Sequence, residues 1–268
     1  MLTRPQQLGK PVRIIPIKAF TDNYIWTLFS EQETHFSVVD PGDAQAVIAF
    51  MEAHELTLDA IFITHHHHDH TGGVQELQQR YGCYVYAPEQ GRYPYADVSL
   101  KEGDCVSLWD SFYQFEVLEV PGHTMDHIAY YDKANGLLFC GDTLFKAGCG
   151  RMFEGTPEQF YHSLEKLKKL PAQTQVYCTH EYTLANLAFA QYIEPDNENI
   201  KQLIQKCQKL RQENKITLPS TIECELLTNP FLRCETSNLQ NKAAQVLGKI
   251  NPTPIETFAT IRQLKDNF

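Results

Sequence analysis

One short tract limits what this chain can fold into more than any other feature does. Residues 64–73 read Thr-His-His-His-His-Asp-His-Thr-Gly-Gly, and they place five histidines and one aspartate in six consecutive positions. An apolar, strand-like run at 60–63 precedes the tract, and a helical pattern follows its two glycines. A surface histidine tract would need neither the buried strand before it nor the glycines after it. We therefore interpret the tract as a functional turn at a strand end.

The spacing inside the tract favours two metal ions over one. If the backbone is extended or turn-like, His65 and His67 point to one side, and Asp69 with His70 faces a second point nearby. Neutral imidazole and carboxylate groups are good ligands for zinc, and also for iron or manganese. An accidental histidine-rich turn and a structural site for one metal are the alternatives. The spacing therefore defines the site better than it defines the metal.

Three loops elsewhere carry further ligand types, and each follows a predicted strand. They read Gly-His-Thr at 122–124, Gly-Asp-Thr at 141–143 and Thr-His-Glu at 179–181. Loops at strand ends often gather at one edge of a sheet and build a site there. Two metals that share an anionic bridge and have no sulfur ligand need about seven side chains. The predicted set is His65, His67, Asp69, His70, His123, Asp142 and His180.

The rest of the chain predicts a layered α/β fold, in which strand and helix patterns alternate and the last third is largely helical. Strands are predicted at 12–17, 24–29, 36–39, 60–63, 84–87, 115–120, 128–131, 137–140 and 176–178. Helices are predicted at 44–55, 73–80, 157–169, 183–192 and 197–214. The change in pattern divides the chain into one domain of residues 1–182 and a helical domain of residues 183–268.

Charge and composition exclude several classes of protein. The chain of 268 residues has 33 acidic and 23 basic residues, and its net charge of −10 is unfavourable for binding nucleic acid. Its apolar runs are far shorter than the roughly 20 residues of a membrane helix, and its start carries no readable secretory signal. Eight cysteines without a Cys-x-x-Cys pair are expected to be reduced. We expect a cytoplasmic protein with a small-molecule substrate and no nucleic-acid or membrane partner, and take a monomer as the default.

The sequence resembles the metallo-β-lactamase superfamily, because positions 65–70 carry its His-x-His-x-Asp-His signature. Within that superfamily it is similar to the glyoxalase II family, the hydroxyacylglutathione hydrolases. The similarity spans nearly the full length, with matching segments at 20–26, 140–145, 147–155, 180–183, 216–220 and 262–268. It implies an αββα sandwich, two sheets with flanking helices, followed by a helical domain that binds glutathione.

The resemblance also assigns roles to individual residues. The implied first-metal ligands are His65, His67 and His123, the second-metal ligands are Asp69, His70 and His180, and Asp142 is the bridge. The implied glutathione contacts are Arg151, Phe153 through its loop, Tyr182, Arg262 and Lys265. Some family members carry tyrosine where this chain has Phe153, so a phenolic hydrogen bond is missing here. Two divalent ions per chain are expected, zinc by preference, with iron or manganese as alternatives.

The implied reaction is hydrolysis of S-(R)-lactoylglutathione and other 2-hydroxyacyl thioesters to a 2-hydroxy acid and glutathione, the second step of methylglyoxal detoxification. Metal binding brings the pKa of water down to about 7, so a metal-bound hydroxide can attack the thioester carbonyl while one metal polarises its oxygen. Asp69 would accept a hydrogen bond from the hydroxide. The leaving thiolate has a reference pKa of about 8.5, so it needs no strong general acid.

Three other activities compete with thioester hydrolysis. A mononuclear iron oxygenase that acts on glutathione persulfide would have less use for the second-metal ligands. A nucleic-acid-processing enzyme conflicts with the acidic charge. A lactonase or β-lactamase would not need the basic pair Arg262 and Lys265, so truncation before Arg262 should leave it active.

Overall fold

The computed structural model of the chain describes residues 12–91 and 93–268, and its strands form two six-stranded sheets and one small hairpin. The first sheet contains β1 Ile14–Ala19, β2 Asn23–Phe29, β3 His35–Val39, β4 Thr57–Phe62, β5 Tyr84–Pro88 and β6 Val98–Leu100. The second sheet is built from β7 Cys105–Leu108, β8 Tyr113–Glu119, β9 Ile128–Asp132, β10 Leu137–Gly141, β13 Gln175–Cys178 and β14 Ser220–Thr221. The hairpin pairs β11 Leu144–Phe145 with β12 Gly148–Cys149. The prediction about a secretory signal falls largely on residues 1–11, which lie outside the described residues.

Strand order places the strands that precede the predicted site inside each sheet, not at its edges. In the first sheet the order is β1-β2-β3-β4-β5-β6, with parallel pairing from β3 onward. In the second it is β14-β13-β10-β9-β8-β7, with β10 and β13 parallel. Strands with parallel neighbours are usually buried on both faces, which agrees with the buried apolar second half of β4 and with the fully buried β10.

The two sheets pack face to face through a largely aromatic core. The rings of Phe62 and Phe115, one from each sheet, lie 5.6 Å apart. The Trp26 indole donates a hydrogen bond to the Cys178 carbonyl at 2.9 Å, and the Tyr130 hydroxyl donates to the Ile63 carbonyl at 2.7 Å. These buried polar links fix one sheet against the other beside the strand ends that carry the predicted ligands.

Helices flank the sandwich. They are α1 Ala44–His54, α2 His68–Thr71, α3 Val74–Tyr81, α4 Pro157–Lys168, α5 Thr183–Ile193, α6 Glu198–Gln212, α7 Ile222–Thr228, α8 Ser237–Leu247 and α9 Pro254–Asp266. Val47 of α1 and Leu77 of α3 join a hydrophobic cluster with the first sheet. Helix α4 meets α9 through Phe160 and Phe258, and both belong to the hydrophobic cluster that includes residues of both sheets. The predicted αββα class with a C-terminal helical region is confirmed.

The structure also contains elements that the sequence patterns did not predict. Strands β6 and β7 are only three and four residues long, too short for a periodic signal. The two-residue strand β14 lies inside the C-terminal helical region but pairs with β13, so this region also completes the edge of the second sheet. Helix α9 was not predicted either, although it begins with the same capping box and first-turn proline, Thr253-Pro254, as the predicted helix α4 at Thr156-Pro157.

All eight cysteines lie among the described residues and are free thiols. In the part of the chain that the structure describes, no helix is long and apolar enough to cross a membrane.

Candidate metal centre

The predicted ligands meet at one end of the sandwich, where five strands finish. The tract 64–70 follows β4, while His123, Asp142 and His180 follow β8, β10 and β13 in turn. Asp40 directly follows β3. Loops at these adjacent strand ends bring together side chains that are more than 100 residues apart in sequence, such as Asp69 and His180.

The first group contains three histidines. Ligand atoms of His65, His67 and His123 all lie within 4.8 Å of one another. The closest pair is Nε2 of His123 and Nδ1 of His67, which are 3.0 Å apart. His65 is fully buried, and its ring centroid lies 4.8 Å from that of His67. Three imidazoles that converge on one point are a common set of ligands for a divalent metal.

The second group contains a carboxylate and two histidines. Ligand atoms of Asp69, His70 and His180 also lie within 4.8 Å of one another. Oδ2 of Asp69 is 3.4 Å from Nε2 of both His70 and His180. The side chain of Asp69 is 42% exposed, whereas that of His70 is fully buried, so Asp69 is the carboxylate that solvent reaches.

Asp142 lies between the two groups. Its Oδ2 atom is 3.5 Å from Nε2 of His123 and 3.4 Å from Nε2 of His180, while its Oδ1 atom is 3.5 Å from Nε2 of His70. One carboxylate thus faces histidines of both groups.

The residues present fit divalent metals. Nε2 of His65, Nε2 of His70 and Oδ1 of Asp142 are buried, and no described atom forms a hydrogen bond with them. Buried polar atoms are nearly always satisfied, because leaving them unpaired costs free energy. Nitrogen and carboxylate donors that converge and lack protein partners are what a bound cation would satisfy.

Electrostatics at the centre also require positive charge. Burial lowers the pKa of His65 well below its ordinary value, which keeps this imidazole neutral, as a metal ligand must be. For His180 burial opposes protonation, but the carboxylates of Asp142 and Asp69 outweigh it and raise the pKa to about 10. The two carboxylates therefore favour positive charge in this pocket, either as a protonated histidine or as a metal ion.

Several residues that orient the histidines were not singled out from the sequence. Asp40 accepts a hydrogen bond from Nδ1 of His70 at 2.9 Å, and Asp22 accepts one from Nδ1 of His180 at 2.7 Å. The carbonyl of Arg151 lies 2.7 Å from Nδ1 of His123. Each contact leaves Nε2 directed at the centre, the usual arrangement around metal-bound histidine. The available signal was an aspartate directly after β3 and another before β2.

Asp142 has an orienting partner of its own, His127, which the sequence analysis also missed. The backbone N–H of Asp142 donates to Nε2 of His127 at 3.1 Å, and the His127 ring stacks on His65 with centroids 4.5 Å apart. The tract itself differs from the expected extended turn, because residues from His68 to Thr71 form a single helical turn. That turn directs the adjacent residues Asp69 and His70 toward the same group.

The predicted substrate residues surround the centre. The Phe153 ring packs edge-on against His67 and His123 with centroids 5.4 and 5.3 Å away, and it is 60% exposed. On the opposite side the Tyr182 ring stacks on His180 at 4.6 Å. The centre therefore has an aromatic wall on each side.

The three basic residues predicted to bind glutathione differ in exposure. Arg151 is largely exposed, and Lys265 is partly exposed near the Ala185 carbonyl. Arg262 is only 5% exposed, and its guanidinium donates to the backbone carbonyls of Cys149 and Gly150. The structure thus presents Arg151 to solvent, leaves Lys265 partly exposed, and holds Arg262 against a loop beside the centre.

Solved structures with the same fold include an ETHE1 protein from Myxococcus xanthus, with a TM-score of 0.63, 24% identity and coverage of 95% of this chain and 97% of that one. The B3 metallo-β-lactamase BLEG-1 has a TM-score of 0.61 and 23% identity, covering 82% of this chain and 99% of its own. At these identities the likeness shows the fold alone.

Family comparisons extend over the whole chain. The family model of the metallo-β-lactamase superfamily matches residues 25–103 and 114–180, so the fold and the centre define a member of that superfamily. The model described as the hydroxyacylglutathione hydrolase C-terminus matches residues 181–268. Curated relatives named hydroxyacylglutathione hydrolase, from Pseudomonas aeruginosa and Idiomarina loihiensis, are 50% and 45% identical over 96% of this chain and 100% of their own length. The chain belongs to the hydroxyacylglutathione hydrolase family.

Proposed function

We infer that the protein is a thioester hydrolase that converts S-(R)-lactoylglutathione, and other S-2-hydroxyacylglutathiones, to a 2-hydroxy acid and glutathione. This reaction is the second step of methylglyoxal detoxification. The observation that carries the inference is the pair of three-residue ligand groups that meet at Asp142, in a chain of this family.

We propose two divalent ions per chain, zinc by preference. The proposed ligands are His65, His67 and His123 for one ion, Asp69, His70 and His180 for the other, and Asp142 for both. When bound, the ions supply a water of lowered pKa as the nucleophile and a Lewis acid for the carbonyl oxygen. The buried, unpartnered atoms of His65, His70 and Asp142 support this assignment.

The chain's own residues orient the reaction. Asp69 is exposed enough to accept a hydrogen bond from the nucleophilic water, and the Asn23 amide donates to its Oδ2 atom at 3.0 Å and so fixes that carboxylate. Phe153 packs against His67 and Tyr182 stacks on His180, so an aromatic ring lies beside each ligand group. A thiolate leaving group needs no protonation to depart, which agrees with the lack of an assigned general acid.

Recognition requires positive charge in an acidic protein, because glutathione carries two carboxylates. We propose that Arg151 and Lys265, which are both accessible to solvent, bind these two carboxylates. Arg262 is the third predicted contact. Its Nη1 atom donates to the carbonyls of Cys149 and Gly150, and its Nη2 atom donates to the Asp266 carboxylate at 3.1 Å, so a direct contact of these donors with substrate would require the loop or Asp266 to move.

We further propose that the enzyme acts in the cytoplasm as a monomer. The eight free cysteines support the compartment, since disulfides are rare there. A single chain supplies both ligand groups, so a second copy is not needed to complete the centre.

Substrate selectivity tests the assignment. The purified protein should hydrolyse S-D-lactoylglutathione with a kcat/KM about a hundredfold above that for the lactoyl thioester of N-acetylcysteine, which lacks the outer carboxylates. Equal kcat/KM values for the two thioesters would contradict recognition of glutathione. Oxygen consumption with glutathione persulfide, without thioester hydrolysis, would support the competing oxygenase.

Replacing Lys265 by Ala should raise KM for S-D-lactoylglutathione by about tenfold, because a charge-assisted contact contributes roughly 1.5 kcal/mol. kcat should change by less than about twofold if the contact is equal in the ground and transition states. Lys249→Ala serves as the control, since Lys249 pairs with Glu256 on the surface. A drop in kcat with an unchanged KM would contradict this role.

A further inference from the structure

A tight hairpin joins the bridging carboxylate to the proposed substrate loop. Strands β11 and β12 begin two residues after Asp142 and end two residues before Arg151. The turn between them consists of Lys146 and Ala147, and Ala147 has a φ of 56°, a left-handed backbone that is unfavourable for a residue with a side chain. Contacts from outside must therefore hold the turn in this conformation.

A buried carboxylate from the C-terminal helical region holds the turn. Glu225 of α7 is fully buried, and its Oε2 atom accepts a hydrogen bond from the Ala147 N–H at 2.8 Å. The same oxygen accepts one from the Asn229 amide at 2.9 Å, and Oε1 accepts one from the Ser220 hydroxyl. Every one of these partners is a neutral donor, so Glu225 is desolvated without a direct ion pair, a costly arrangement for a carboxylate.

The carbonyl groups of the hairpin are bound from the same side. The Asn229 amide, fully buried, donates to the carbonyls of Phe145 at 3.2 Å and Gly148 at 2.8 Å. Asn186 of α5 donates to the Lys146 carbonyl at 3.2 Å. Side chains of the C-terminal region thus form hydrogen bonds with a backbone N–H or carbonyl group of each hairpin residue from 145 to 148.

The far end of the hairpin connects this support to the metal centre. A Cβ atom on Gly150 would lie 2.0 Å from the Asp142 carbonyl oxygen, so the backbone at Gly150 packs against the backbone at Asp142 with no room for a side chain. The next residue, Arg151, accepts the hydrogen bond from Nδ1 of His123 through its carbonyl. A shift of the hairpin would therefore move both the orientation of His123 and the base of the Arg151 side chain.

We propose that Glu225, assisted by Asn229, is a positioning residue for the metal centre and for the substrate loop. By fixing the Lys146–Ala147 turn, Glu225 fixes the orientation of His123 toward the metal and the position of Arg151 toward glutathione. The part that concerns Arg151 rests on the proposed glutathione substrate, whereas the part that concerns His123 rests only on the proposed metal site.

Two substitutions separate the hydrogen bonds of Glu225 from its volume. Glu225→Met keeps the length of the side chain but removes both acceptors. Glu225→Gln can keep its oxygen toward Ala147 and Asn229 while its amide faces the Ser220 hydroxyl, which can accept. The matched control is Glu223→Met, since Glu223 is exposed on the first turn of the same helix.

The test measures zinc release from the holoenzyme to a chelator, which needs no substrate, together with KM for S-D-lactoylglutathione. We expect both the release rate and KM of Glu225→Met to rise at least about fivefold, because groups that orient ligands usually change metal affinity by tenfold or more. Glu225→Gln and Glu223→Met should stay within about twofold of the wild type, as a surface change or a retained hydrogen bond should.

Unchanged zinc release and KM in folded Glu225→Met, with a loss of thermal stability alone, would overturn the proposal. So would equal effects of Gln and Met at position 225. If Glu225→Met does not fold, Asn186→Ala, which removes one hydrogen bond from the same turn, should raise both quantities about fourfold, above the twofold range of the controls, and values within that range would overturn the proposal. Wild-type enzyme without thioesterase activity would refute the proposed function, but the zinc-release result would stand.

Discussion

Replacing Asp142 by Asn is expected to lower kcat for S-D-lactoylglutathione by about a thousandfold, because the centre then loses the group that serves both metals. Asp142 is the carboxylate that contacts His70, His123 and His180. The amide retains the shape but not the charge, so bound metal should fall from about two ions to one or fewer. Steady-state kinetics and metal analysis on the same preparation measure both effects.

Asp110→Asn is the control for this substitution, since Asp110 lies exposed in the turn between β7 and β8. It should retain full activity and metal content. Wild-type activity with full metal content in Asp142→Asn would contradict the bridging assignment.

Removing the metals with a chelator should abolish hydrolysis and lower Tm by about 10 °C. A ligand present at a thousand times its Kd stabilises a protein by about 4 kcal/mol, and each kcal/mol corresponds to roughly 2–4 °C in a chain of this size. The physical cause is the buried Asp142 carboxylate and the buried His65 and His70 nitrogens, which lose their partner. Differential scanning calorimetry before and after chelation measures the shift.

Added zinc should restore both activity and Tm. The Asp142→Asn variant should show a smaller shift on chelation, since it holds less metal to begin with. An identical Tm with and without chelator in the wild-type protein, at unchanged activity, would show that the buried donors do not hold metal.

Much of the candidate site could be predicted from the sequence because its groups lie directly after strands. An apolar run followed closely by His123, Asp142 or His180 predicts both a strand and the position of the loop after it. The fold then brings these loops together at one end of the sandwich, where binding sites commonly form. The αββα class itself came from the resemblance, since periodicity alone supports only a mixed α/β layer.

Other features depend on contacts between distant residues, which local patterns do not encode. Asp22 and Asp40 orient His180 and His70, yet each is a single aspartate in an ordinary loop. The burial of Arg262 follows from the packing of α9 against the 148–150 segment, and an Arg-x-x-Lys spacing cannot reveal it. Strand β14 forms only because β13 offers an open edge to a two-residue segment.

Hydrolysis of S-D-lactoylglutathione by the purified protein, followed as thiol release with the metal content measured on the same sample, tests the central claim most directly. The account predicts chelator-sensitive turnover with a kcat/KM of about 10⁵ M⁻¹s⁻¹ or higher and about two metals per chain. A fully metallated protein that releases no thiol would contradict it.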